Sequence, residues 1–235
     1  MTKNSIFNIF KSALRRLTQA PQPFPLIWLA IYLSFLTLDI IFIDTFLSTS
    51  IKYFGIALNL FFVHQFYKKD PLLALALAFT LLADTILIWL NAKPLGVYAF
   101  VFAQFFHTAR LAKTTPKFFQ HYLIGAFIVF SFATFAGLQP IYAIALIYGA
   151  TLLTNLLLSV KWYRSSPKIP AAACAALGFL LFLFCDILVA SEFMLSAIPT
   201  RLGLSFFVWL FYYPSQVLIS NSSTTPIRKK TERFS

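Results

Sequence analysis

The chain alternates long apolar runs with brief polar punctuation. The runs fall at about residues 24–43, 51–67, 71–90, 94–111, 119–137, 141–160, 169–191 and 201–220. A helix needs ~20 mostly apolar residues to cross a bilayer, and roughly 17 will do, so each run is long enough. Pro25, Pro71, Pro94, Pro140 and Pro170 stand at or near the starts of five runs, where the missing proline N–H has no helical partner to lose. Period-two alternation is absent and the runs exceed a tilted barrel strand, which leaves helices as the way to satisfy the backbone inside lipid. The expected fold class is an all-α integral membrane protein with eight transmembrane helices.

Composition agrees with that solvent. Hydrophobic residues make up 60% of the 235 and charged residues 11%, with a mean hydropathy of +0.80, well outside the range of soluble domains. The net charge of +12 would fit a nucleic-acid binder, but the basic residues come in ones, twos and threes at the ends of apolar runs. With eight crossings, all of the 19 lysines and arginines except Lys52, Lys93 and Arg201 fall on the side of the N-terminus. That bias predicts both termini inside and no nucleic-acid partner. Residues 24–221 then form the membrane domain, and 222–235 a basic cytoplasmic tail. Residues 1–23 precede the membrane domain, and within them residues 1–20 lack the continuous apolar core of a cleavable signal. There Ile6, Phe10, Ala13, Leu14 and Leu17 fall near helical spacing beside Lys11, Arg15 and Arg16, which fits either a short helix on an anionic surface or a mobile basic segment.

Polar residues inside the runs carry the chemistry. A charge at the bilayer centre costs about 2.5–3.5 kcal/mol on insertion scales, so each one needs a reason. Asp84, in LADTILIW, lies seven residues before Asn91, and Asp186 six before Glu192. At a rise of about 1.5 Å per residue, both carboxylates sit roughly 10 Å below the outer edge. Two acids at one depth could share their protons and serve as general acid and base. They could equally be interhelical glue, with Lys52 as ion partner. Asn59, Tyr98 and Tyr148 cluster at a similar level and Tyr212 and Tyr213 a little deeper, although tyrosines near an interface are usually belt residues. Gln104, His107, Asn155 and Gln216 lie in the inner half. Asp39 and Asp44 are expected near the outer boundary, in contact with water.

Several chemistries are absent. There is no Gly-rich phosphate loop, no nucleophile elbow and no HExxH, and the residues before the aspartates, Ala83 and Cys185, break the GxGD pattern of intramembrane proteases. His64, His107 and His121 lack metal-ligand spacing, and Cys174 and Cys185 have no ligating neighbours, so no metal and no cofactor is expected.

Lys52 at the opening of the second run, ADTILIW at 83–89, the aromatic run 94–111, LGFLLFLFCDILVASEF at 177–193 and FYYPSQVLIS at 211–220 together resemble the ordered motifs of the YhhN family of eight-span proteins, which includes the lysoplasmalogenases. The resemblance implies hydrolysis of the vinyl ether of lysoplasmalogen, a lysophospholipid, to a fatty aldehyde and glycerophosphoethanolamine or glycerophosphocholine. It assigns catalysis to Asp84 and Asp186. Lys52, Tyr212, Tyr213 and Gln216 also match motif positions, and Asn59, Tyr98 and Arg201 complete the expected substrate-binding set, with Lys52, Lys93 or Arg201 holding the phosphate. The chain departs from the family pattern at Ala83, usually Gly, at Cys185, usually Ser, and at Gln104, usually His, where His107 one turn away could substitute.

Two other classes use the same residues. A small-solute or proton-coupled transporter would employ the aspartates as a relay, and an interaction protein would use them with Lys52 as glue. Compact loops favour a bacterial inner membrane. Oligomeric state is not encoded in any feature of the chain.

Overall fold

The computed structural model describes residues 3–42, 45–90, 92–112, 116–137, 139–195 and 203–224. Among them every regular element is an α-helix: α1 (Lys3–Thr18), α2 (Phe24–Phe42), α3 (Phe46–Phe66), α4 (Pro71–Ile88), α5 (Lys93–Leu111), α6 (Pro116–Phe135), α7 (Pro140–Ser165), α8 (Pro170–Leu195) and α9 (Gly203–Ser220). Helices α2 to α9 fall on the eight apolar runs. Among the described residues five helices are long and apolar enough to cross a membrane: α2, α3, α4, α7 and α8.

Boundaries depart from the runs where capping or polar helix formers act. Helix α3 starts five residues before its apolar run because the Thr45 hydroxyl accepts a hydrogen bond from the Ser48 N–H at 3.1 Å, an N-cap that hydropathy does not register. Helix α7 runs on through the polar Lys161–Ser165.

The chain divides into two compact units, residues 1–70 with 159–235 and residues 71–158. In the first, α8 packs closely on α9, and Gly178 permits this: a Cβ there would meet the Ile219 side chain at 2.8 Å and the Ser215 carbonyl at 3.2 Å. Helix α1 docks on α8, burying Ile9 and Ala13 against Ala172, Ala173, Cys174 and Ala176. Arg16 ends α1 as a clasp. Its guanidinium donates to the Tyr67 hydroxyl at 3.0 Å and to the Ser223 carbonyl at 2.9 Å, so Ser222 and Ser223, at the start of the predicted tail, are buried.

Helix α9 contains Pro214, which cannot donate to the carbonyl of Leu210 four residues earlier. The Tyr32 hydroxyl on α2 donates to that carbonyl instead, at 3.0 Å. A backbone acceptor freed by proline is thus satisfied from a neighbouring helix, as a low-dielectric setting requires.

In the second unit α4 packs along α5. Thr108 and Asn155 join α5 to α7, and the Phe105 and Tyr122 rings, 4.9 Å apart, join α5 to α6.

Candidate functional site

Within the first unit the end of α2 and the start of α3 form a buried ion pair. Lys52 Nζ lies 2.8 Å from Asp39 Oδ2, with the two residues 1% and 2% exposed. Ser48, one turn before Lys52 on the same face of α3, donates a short hydrogen bond to Asp39 Oδ1. The ammonium also faces two rings, 5.4 Å from the centroid of Trp209 and 5.9 Å from that of Phe35, within reach of a cation–π attraction. The expectation that Asp39 is wet is therefore overturned. Asp39 lies three residues before the end of α2, but it faces α3 rather than water, and that azimuth is fixed by the lysine it meets.

The tyrosine pair of α9 lies beside this lysine. Tyr213 stacks on Tyr32, with centroids 5.9 Å apart and planes 10° from parallel, and meets Phe35 edge-on at 5.4 Å. Its ring rests on Gly55, where any side chain would collide with it. Tyr212 meets Trp209 at 5.2 Å and Phe182 at 5.6 Å. Phe182 is one turn from Asp186 on α8, so an aromatic series links the face that carries Asp186 to the ring over Lys52. Asp186 itself is half-buried.

Three contacts fix the register of α3 on α9. Lys52 lies by Trp209, Gly55 by Tyr213, and Arg16 bridges Tyr67 to Ser223. The helices are therefore parallel, which puts Asn59 level with Gln216. Both are fully buried. Among the described residues neither side-chain atom of Asn59 has a hydrogen-bond partner, nor does Gln216 Oε1 or the Tyr213 hydroxyl. Leaving such groups unmet costs about 1–3 kcal/mol each, which makes them the polar atoms of this seam most in need of a partner.

The second unit holds Asp84. It is 4% exposed on the face of α4 that also buries Leu73, Ala76, Leu77, Thr80 and Ala83. Spacings of three and four mark that face as the one turned to protein. On α5, Gln104 is a structural clamp: the Asn155 amide donates to its Oε1 at 2.8 Å and its backbone carbonyl at 3.0 Å, while the Thr108 hydroxyl donates to Asn155 Oδ1 at 2.7 Å. Sequence reading placed Gln104 and Asn155 in the same half of the membrane but did not pair them. His107 is fully buried next to this clamp in sequence, and Tyr98 is 42% exposed. The substrate-binding set thus divides, with Lys52, Asn59, Tyr212, Tyr213 and Gln216 in the first unit and Tyr98 in the second. Arg201 and Asp44 lie outside the described residues, as do the side chains of Lys93 and Glu192. Among the described residues no cluster of three or more His, Cys, Asp or Glu could hold a metal ion.

Residues 47–223 match the YhhN family model, about three quarters of the chain and including both aspartates. The chain belongs to the YhhN family. No curated protein and no solved structure matches it significantly. The family match begins at the first turn of α3, so Lys52 lies inside the matched stretch while its partner Asp39, with all of α1 and α2, precedes it.

Proposed function

We propose that this YhhN-family protein is a membrane-embedded hydrolase that cleaves the vinyl ether of lysoplasmalogen, with Asp84 and Asp186 as its catalytic residues. The observation that carries the reading is a carboxylate, Asp84, 4% exposed on an apolar helix inside the family-matched stretch. A buried membrane aspartate is expensive to keep and is a functional residue by default.

The reaction needs a positioned acid. Proton transfer to the β-carbon of the vinyl ether generates an oxocarbenium ion, water adds to it, and the hemiacetal collapses to a fatty aldehyde and the glycerol hydroxyl. One aspartate delivers the proton, and the other, ionised, stabilises the cation and takes a proton from the attacking water. Lys52 supplies positive charge for the phosphate by exchanging Asp39 for it, and Asn59, Tyr212, Tyr213 and Gln216 hydrogen-bond the glycerol and head group. Tyr98 and Arg201 complete the binding set. No cofactor or metal takes part in this scheme. In the proposed topology all eight helices from α2 to α9 cross the membrane with both termini inside, in a bacterial inner membrane.

The test is aldehyde release from lysoplasmalogen by purified full-length protein, with the ester lysophospholipid as control. Asp84→Asn and Asp186→Asn should each lower turnover by about 100-fold or more while the protein remains folded, the usual size of a lost general acid or base. Retained turnover in both variants overturns the assignment. Solute flux in proteoliposomes without any product would favour a transporter.

A further inference from the structure

Helices α1, α2, α8 and α9 enclose an open groove of about 450 Å³ that shares only Tyr213 with the proposed substrate-binding set. Its size falls in the range of ~300–1,000 Å³ typical of ligand pockets. Its walls are apolar, with Phe10 and Leu14 from α1, Leu29 from α2, Leu177 and Leu181 from α8 and Val217 from α9. Helix α1 supplies one wall and has a second chemistry. Ile9 and Ala13 face α8, Phe10 and Leu14 are about half exposed toward the groove, and Lys11 and Arg15 are exposed on the next arc of the helix. Thr18, on the border between these arcs, also lines the groove, so the cations stand along its edge.

We propose that this groove holds one acyl chain of an anionic glycerophospholipid, whose phosphate is held by Lys11 and Arg15. A lipid tail meets no hydrophobic drive to leave its neighbours for an equally apolar wall. Selectivity must therefore come from the head group, and among the described residues of α1 the charges beside the groove, Lys11 and Arg15, are positive. A cationic amphipathic helix with a half-exposed apolar face is the form that lies in the headgroup layer of an anionic leaflet. The site is built largely from α1 and α2, which precede the family-matched stretch, and it does not depend on the hydrolase reading.

The experiment uses the full-length protein in vesicles containing phosphatidylglycerol or phosphatidylcholine with the same photoactivatable acyl chain, and adducts are mapped by peptide mass spectrometry. Phosphatidylglycerol should label peptides from α1, α2 and α9 in preference to phosphatidylcholine, by roughly five-fold for each of the two cations. The Lys11→Gln/Arg15→Gln variant, which alters only exposed side chains, should bring the ratio near one. The exposed Leu123–Ile128 stretch of α6 should show no preference and serves as the internal control. Equal labelling by both lipids, a preference of the same size on α6, or a preference that survives in the double variant would each overturn the proposal.

Discussion

The Lys52–Asp39 pair can be probed by removing each charge and then both. In Asp39→Leu an ammonium that is 1% exposed loses the carboxylate 2.8 Å away. The rings of Phe35 and Trp209 remain, but a cation–π contact returns only about 0.5–2 kcal/mol. Breaking one partner of a buried pair costs about 3–5 kcal/mol. For a chain of this size that corresponds to a fall in Tm of roughly 6–20 °C. Lys52→Met leaves Asp39 with the Ser48 hydroxyl but no countercharge, and should lose stability on the same scale. The double variant Asp39→Leu/Lys52→Met removes both charges and keeps apolar volume, so it should return to within about 1 kcal/mol of the parent. The assay is thermal unfolding of the four proteins in one mild detergent, read as a double-mutant cycle. Additive losses, or an Asp39→Leu that costs less than about 1 kcal/mol, would refute the claim that Asp39 is the countercharge on which Lys52 depends.

Two further outcomes follow from the hydrogen bonds between helices. Tyr32→Phe strands the Leu210 carbonyl and should cost about 1–2 kcal/mol, whereas in a Pro214→Ala background the restored N–H reclaims that carbonyl and the same substitution should cost little; equal costs in both backgrounds would exclude the compensation. Asn155→Leu leaves Gln104 Oε1 without its donor, while the Thr108 hydroxyl keeps the Gln104 carbonyl at 2.9 Å, and should destabilise by about 1–3 kcal/mol, with faster hydrogen exchange along α5 as the local readout.

Prolines and apolar run length carried most of the secondary structure. Pro71, Pro140 and Pro170 are the first residues of their helices, and Pro25 and Pro94 the second. Both are local properties, set by a missing N–H and by the thickness of a bilayer, so no tertiary contact was needed to read them. The family motifs were legible for the same reason, as ordered short stretches. Asp84 stood out because a carboxylate in an apolar run is conspicuous without any knowledge of its neighbours.

What the linear chain could not give was direction around each helix axis. A soluble helix announces its buried face by contrast with a polar one, but helices α2 to α9 are apolar nearly all round, and a lipid-facing leucine looks like a core leucine. Asp39 was accordingly assigned to water although it faces Lys52. Gln104 and Asn155, 51 positions apart, met only when α5 and α7 packed together. The groove along α1 likewise exists only because four separate helices surround it. The sequence determined which segments are helical and which residues are chemically unusual; packing decided which of those residues meet, because their azimuth leaves no trace in hydropathy once both protein and solvent are oil.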